Sequence, residues 1–152
     1  MDIEARLKDL GITLPAPPAP VAAYVPFTVA GKLVHIAGQL PLLDGKLLSP
    51  GHLGGNVSVA DGQAAARQCA INLLAQLKAA SGDLNRVAQC LKLGVFIAAT
   101  ADFTQHPEVA NGASELMAAA LGDAGKHARS SVGVPSLPRG ACVEVDAVFE
   151  LA

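Results

Sequence analysis

Two stretches of the chain carry apolar residues at a helical period. Between Ser58 and Ser81, Ala66, Ala70, Leu73 and Leu77 form one stripe, which Cys69 and Leu74 widen. Ser58 with Asp61 three residues on resembles a capping box, and Gly82 supplies the stop. Between about Pro107 and Leu121 the stripe is Val109, Ala113, Leu116, Met117 and Ala120, with Pro107 acceptable in a first turn and Gly122 and Gly125 ending the helix. A short helix from Asp2 to Leu10 has Ile3, Leu7 and Leu10 as its stripe and Gly11 as its stop. The remaining pattern is that of strands. Val21 to Ala30 and Lys32 to Gln39 are rich enough in β-branched residues to predict two strands meeting at Gly31. Leu84 to Ala99 holds an apolar run broken only by Lys92 and Gly94 from residue 91 on, the mark of a strand buried on both faces. The last quarter, from His127 to Asp146, predicts two strands joined by the turn Ser136-Leu-Pro-Arg-Gly140, the second continuing along Val143, Val145, Ala147, Phe149 and Leu151 as its core face.

The order is helix, strand, strand, helix, strand, helix, strand, strand, which predicts an α+β domain: one sheet with two long helices packed on one face. The other face includes part of the apolar strand near residues 91–99, so association of identical subunits is expected to cover it. Pro15, Pro17, Pro18 and Pro20 force an extended connector, so residues 1–20 are expected to be a helix and Pro-rich arm leading into a single domain at 21–152. The Gly- and Pro-rich stretch from Pro41 to Asn56 predicts a long loop, a length more often functional than not.

Composition sharpens this picture. Apolar residues make up 51% of the 152 and charged residues only 16%, below the typical quarter, which again points to surface covered by a partner. Aromatic residues are 3%, with no Trp, so the core must be built from Ala, Val, Leu and Ile. A net charge of −2, with 11 Lys and Arg and no basic run, lacks the footprint that nucleic acid demands. Cys69, Cys90 and Cys142 are odd in number and widely spaced in apolar surroundings, which predicts reduced core thiols. No metal-ligand spacing accompanies His35, His52, His106 and His127, and nucleotide-binding and serine-hydrolase motifs are missing; no metal and no cofactor are expected. Acids and bases alternate from Asp2 to Asp9 and no stretch has the length of a membrane span, so a cytoplasmic protein without a membrane partner is expected.

The chemistry-bearing residues gather in the last quarter. A period of two puts Arg129, Ser131 and Gly133 on one face of the first strand, while Glu144 and Asp146 on the second point away from the core. If the two strands are antiparallel neighbours, Arg129 and a carboxylate lie within reach on the same non-core surface. Two uses of Arg129 remain open: a two-pronged clamp for a ligand carboxylate, or a structural ion pair with Glu144 or Asp146. Glu144 can place or activate a water, or be a solvated acid. Tyr24, the only tyrosine, can donate to a ligand oxygen or simply pack at an edge. Gly38-Gln39 after an apolar strand can expose N–H groups to an anion or be a plain turn.

Val34-His-Ile-Ala-Gly-Gln-Leu-Pro41, Asn72-Leu-Leu-Ala-Gln-Leu-Lys78, Ala128-Arg-Ser130 and Leu137-Pro-Arg-Gly-Ala-Cys-Val-Glu-Val145 together resemble the YjgF/YER057c/UK114 family, also called Rid or L-PSP, over about residues 21–151. The resemblance implies a chorismate-mutase-like α+β fold and a homotrimer with clefts between subunits. It also implies a reactive-intermediate deaminase that hydrolyses imines and enamines to 2-oxo acids and ammonia without a cofactor. On that resemblance Arg129 is the arginine that binds the substrate carboxylate and Glu144 the glutamate that helps place the water. Tyr24 is the cleft tyrosine and Gly38 the glycine of a Ser-Gly-Gln motif. Ser131 stands where many deaminases have cysteine, and Ala37 replaces the serine before Gly-Gln. The chain thus resembles a longer branch with His-Ala-Arg-Ser before the turn.

Three functions follow for test. The first is hydrolysis of small imines or enamines, with Arg129 and Glu144 catalytic and Tyr24, Gly38, Arg129 and Ser131 binding substrate. The second is a non-catalytic binding protein for small carboxylates such as 2-oxo acids. The third, an endoribonuclease, is disfavoured by the acidic balance and the scarcity of aromatic stacking platforms.

Overall fold

The computed structural model describes residues 2–19 and 22–152. The two long helices form where the apolar stripes put them: α2 at Val59–Ser81 and α3 at His106–Leu121, after a short α1 at Ile3–Asp9. Ser58 caps α2 by accepting from the Asp61 N–H, and Gly82 ends it in the left-handed conformation at φ +76. Every residue of both predicted stripes is buried. The helices cross closely enough that a Cβ at Gly112 of α3 would collide with the Gln63 carbonyl of α2. Gly112→Ala is therefore expected to force the helices apart at a cost of about 1–3 kcal/mol, or roughly 2–12 °C in melting temperature for a chain of this size. A thermal melt unchanged from wild type would refute this close-packing account.

The strands are β1 (Phe27–Ala30), β2 (Leu33–Gln39), β3 (Leu42–Leu43), β4 (Lys46–Leu47), β5 (Val87–Ala98), β6 (Ala128–Val134) and β7 (Val143–Leu151). Five of them make one sheet in the order β1-β2-β7-β5-β6, and β3 with β4 form a separate small hairpin. β1 and β2 are joined across Gly31, as expected, but β1 starts only at Phe27. Pro26 contributes no N–H to a ladder and its carbonyl accepts from Ala37, so the residues before it stay irregular; Val21 lies outside the described residues. The predicted 41–56 loop contains the β3–β4 hairpin, turned at Asp44-Gly45. The strand expected from Leu84 starts three residues later, because Asp83 caps a turn of 3₁₀ helix at Leu84–Arg86.

The pairing of the last two strands differs from the expectation. β6 and β7 are not neighbours: β5 lies between them, parallel to β6 and antiparallel to β7. Helix α3 is the crossover that a parallel β5–β6 pair requires. The segment after β6 then passes the end of β5, where Ala98 N–H donates to the Cys142 carbonyl, before β7 enters the middle of the sheet.

Both long helices cover one face. Val143, Val145, Ala147, Phe149 and Leu151 point into that layer, as their alternation predicts. The arm does more than lead in, for Ile3, Leu7 and Ile12 are buried in this same core. Cys69, Cys90 and Cys142 are free and buried, and burial pushes the Cys90 thiol to about 12 and that of Cys142 to about 11. No other layer of the described chain covers the opposite sheet face, where Leu33 is 37% and Val132 47% exposed. Among the described residues no helix is long and apolar enough to cross a membrane.

Candidate functional site

Glu144 is built into a small cavity by an irregularity in β2. Ile36 pairs with Ala147 and Gln39 with Val145, so three steps along β2 match two along β7 and the strand bulges at Ala37-Gly38. The bulge lays Gly38 against the Glu144 side chain, so closely that a Cβ at Gly38 would collide with the carboxylate. Any larger residue there would push the Glu144 carboxylate from this position. Tyr24, Gly38 and Glu144 line one cavity with Gln39, Leu40 and Pro138, and Tyr24 is 47% exposed at its rim. Burial raises the Glu144 carboxyl above its usual range, and the charge of Asp146 raises it further. Asp146 is also raised by burial, with the Gly94 backbone and Lys92 pulling the other way.

Arg129 occupies a second place, on the edge strand β6. Its Nη1 donates to Asn111 Oδ1 at 2.8 Å and to Ser114 Oγ at 3.0 Å, both on α3. Behind Ser114 stands His127. The ring nitrogen Nδ1 lies 2.7 Å from the Gly125 carbonyl, which can only accept, so Nδ1 carries the proton. In the neutral ring Nε2, 2.8 Å from Ser114 Oγ, then accepts from the hydroxyl, leaving the oxygen lone pairs for Arg129. Neither Nε nor Nη2 of Arg129 has a partner among the described residues, and no carboxylate there pairs with it; the ion pairs are Lys78–Glu4 and Lys126–Asp123. The structural pair of Arg129 with Glu144 or Asp146 does not form. Neutral acceptors instead hold one nitrogen and leave the rest of the fork available.

The two places do not meet within one chain, which corrects the expectation of a shared non-core surface. Arg129 lies opposite Leu93, which lies opposite Ala147, and all three face the helices. Glu144 lies opposite Phe96 and so points to the uncovered face. Ser131, opposite the buried Val95, shares the side of Arg129, as the period of two predicts. Asn111, Ser114 and His127 as supports of Arg129 go beyond the sequence reading, although Asn111 and Ser114 are a polar pair three residues apart on one helix. No three His, Cys, Asp or Glu side chains among the described residues are grouped as a metal site would need.

A mixed five-stranded sheet under two helices, with a carboxylate cavity at a bulge and an unpaired arginine on an edge strand, defines an α+β chain of the chorismate mutase-like type. The chain belongs to the YjgF family: residues 4–151 match the family described as "YjgF/chorismate mutase-like, putative endoribonuclease". It is 47% identical over 150 residues to Protein TCP17 of Trypanosoma cruzi, covering 98% of this chain and 94% of that one. The crystal structure of Atu1372 from Agrobacterium tumefaciens is 49% identical with a TM-score of 0.92, covering 99% of this chain and 92% of that one. RidA from the Antarctic bacterium Psychrobacter sp. PAMC 21119 is 28% identical with a TM-score of 0.63, over 90% of this chain and 94% of its own.

Proposed function

We propose that the chain hydrolyses small imines and enamines to 2-oxo acids and ammonia, in a homotrimer whose clefts bring Arg129 of one copy to the Glu144 cavity of another. The observation that carries this reading is Arg129 itself: a half-buried guanidinium with no carboxylate partner and most of its fork unbonded is prepared for an anion the chain does not supply. The uncovered, partly apolar sheet face gives a second copy somewhere to sit. In the reaction, Arg129 holds the substrate carboxylate. A water placed by Glu144 forms a C–O bond to the carbon of the protonated C=N group, which an enamine becomes by taking a proton on its β carbon. The π pair moves to nitrogen, and the proton the water gives up passes to that nitrogen, making it an ammonium. The carbinolamine then releases ammonia, breaking C–N, as its hydroxyl proton passes to Glu144 and the C=O forms. A carboxyl raised by burial is the stronger base for this step. Tyr24 at the rim and Ser131 beside Arg129 add hydrogen-bonding groups for substrate.

A non-catalytic carboxylate-binding protein is the second reading, favoured by the separation of Arg129 from Glu144 within one chain. The test is complementation. Arg129→Ala and Glu144→Gln, each inactive on imines generated in situ from amino acids, are co-expressed, and sedimentation is expected to give a trimer. With random assortment about one cleft in four receives both intact residues, so activity is expected to return to at most about a quarter of wild type. A folded monomer, or no recovery from mixed trimers of two variants that each abolish a measurable wild-type activity, would refute the shared cleft.

A further inference from the structure

The N-terminal arm reaches the Glu144 cavity. After α1, Leu14 to Pro17 run beside Ala75, Lys78 and Ala79 of α2 and the Gly82 that ends it, and Pro18 and Ala19 then join the lining of the cavity that holds Gly38 and Glu144. This segment is not loosely laid there. Gln76 of α2, 1% exposed, donates from Nε2 to the Pro18 carbonyl at 2.7 Å. The same nitrogen lies 3.4 Å from Oε1 of Gln39, another lining residue. Gln76 Oε1 is buried without a partner, so one end of this amide is left unsatisfied while the other holds the arm. Upstream, Ile3, Leu7 and Ile12 are sunk in the main core and Glu4 is paired with Lys78. The position of Pro18 is thus fixed relative to the core at both ends of the arm.

The cavity these residues line is small, and besides Glu144 only Tyr24 and Gln39 bring polar side chains to it. Besides Pro18 and Ala19 its apolar walls are Pro26, Leu40, Leu42 and Pro138, and its volume is ≈ 50 Å³. That is above the roughly 10–15 Å³ a cavity needs to hold one water, so the space is on the order of a few heavy atoms. A charged group placed against these walls would lose its hydration without gaining a partner.

We infer that Pro18 and Ala19 make the arm a size filter for the Glu144 cavity, so that it takes ligands with a short, uncharged aliphatic side chain and turns away branched and aromatic ones. The inference rests on the reading that the cavity is where the reacting ligand sits. The ligand's C=N carbon lies toward Glu144 and its side chain toward the arm.

The test is calorimetric binding of four 2-oxo acids of increasing side chain, pyruvate, 2-oxobutyrate, 4-methyl-2-oxopentanoate and phenylpyruvate, to the full-length protein. Wild type is expected to bind 2-oxobutyrate at least about tenfold more tightly than phenylpyruvate. Ala19 is exposed, so Ala19→Leu leaves the core alone; it is expected to weaken 2-oxobutyrate relative to pyruvate by about tenfold. Gln76→Leu unties Pro18 and is expected to shrink the gap between pyruvate and phenylpyruvate. If wild type binds none of the four, the cavity is not the ligand site and the filter falls with that reading. If wild type binds them but both folded variants keep the same ranking, the ligand reading survives and the filter alone is overturned.

Discussion

Arg129→Ala is expected to weaken binding of pyruvate or 2-oxobutyrate by roughly 30-fold to several thousand-fold, the equivalent of about 2–5 kcal/mol for leaving a buried anion unpaired. The melting temperature is expected to stay close to wild type. The structure explains the contrast: the groups Arg129 releases, Asn111 Oδ1 and Ser114 Oγ, are neutral and half-buried. No carboxylate loses a partner. Arg129→Lys sharpens the test, because one ammonium can satisfy Asn111 or Ser114 but cannot offer a carboxylate two parallel N–H groups. Lys is therefore expected to preserve the fold and recover little affinity. Calorimetry and thermal unfolding on wild type and both variants check this, and unchanged affinity in a folded Arg129→Ala protein would end the clamp reading.

The helices, the uncovered face and the alternation along β7 were legible because each depends on local periodicity. Val143 through Leu151 alternate without interruption, and whichever strand pairs with β7 must accept that face. Neighbour order is another matter. Residues 127–146 look like a hairpin, since two β-rich runs flank a Pro- and Gly-containing turn, but that pattern carries no information about a third strand inserted between them. The clue lay in α3: a helix of 16 residues between Leu84–Ala99 and Ala128–Val134 suits a parallel crossover, which leaves β7 to pair on the far side of β5. Misplacing β7 misplaced Glu144 relative to Arg129. The bulge at Ala37-Gly38 was hidden as well, because it is a register shift between β2 and β7 rather than a property of either segment. The arm read as a connector because its prolines dominate the local pattern, whereas its anchoring depends on Ile12 and on a glutamine 58 positions away from Pro18.

Glu144→Gln is expected to lower kcat for imine hydrolysis by about 10²- to 10⁴-fold, the range for loss of a positioned acid or base. The same change is expected to raise the melting temperature at pH 7. Burial and the Asp146 charge both raise the Glu144 carboxyl. Between its ordinary and its raised value, the folded chain keeps a proton that the unfolded chain has given up. Folding is therefore favoured on the acid side of that window and loses stability as pH rises through it. Above the window the folded state carries a half-buried anion beside a second one, and glutamine removes that cost at nearly the same volume. At about pH 4, where the carboxyl is largely protonated, the gain in melting temperature is expected to vanish. The sign at pH 7 also reports on the cleft. If Arg129 of a neighbouring copy paired directly with Glu144 in the ligand-free trimer, the anion would be stabilised and Glu144→Gln would melt lower than wild type. A higher melting temperature with lost turnover is the outcome for a carboxylate held ready for water, with Arg129 kept for the substrate. Retained turnover in the folded variant would remove Glu144 from the chemistry.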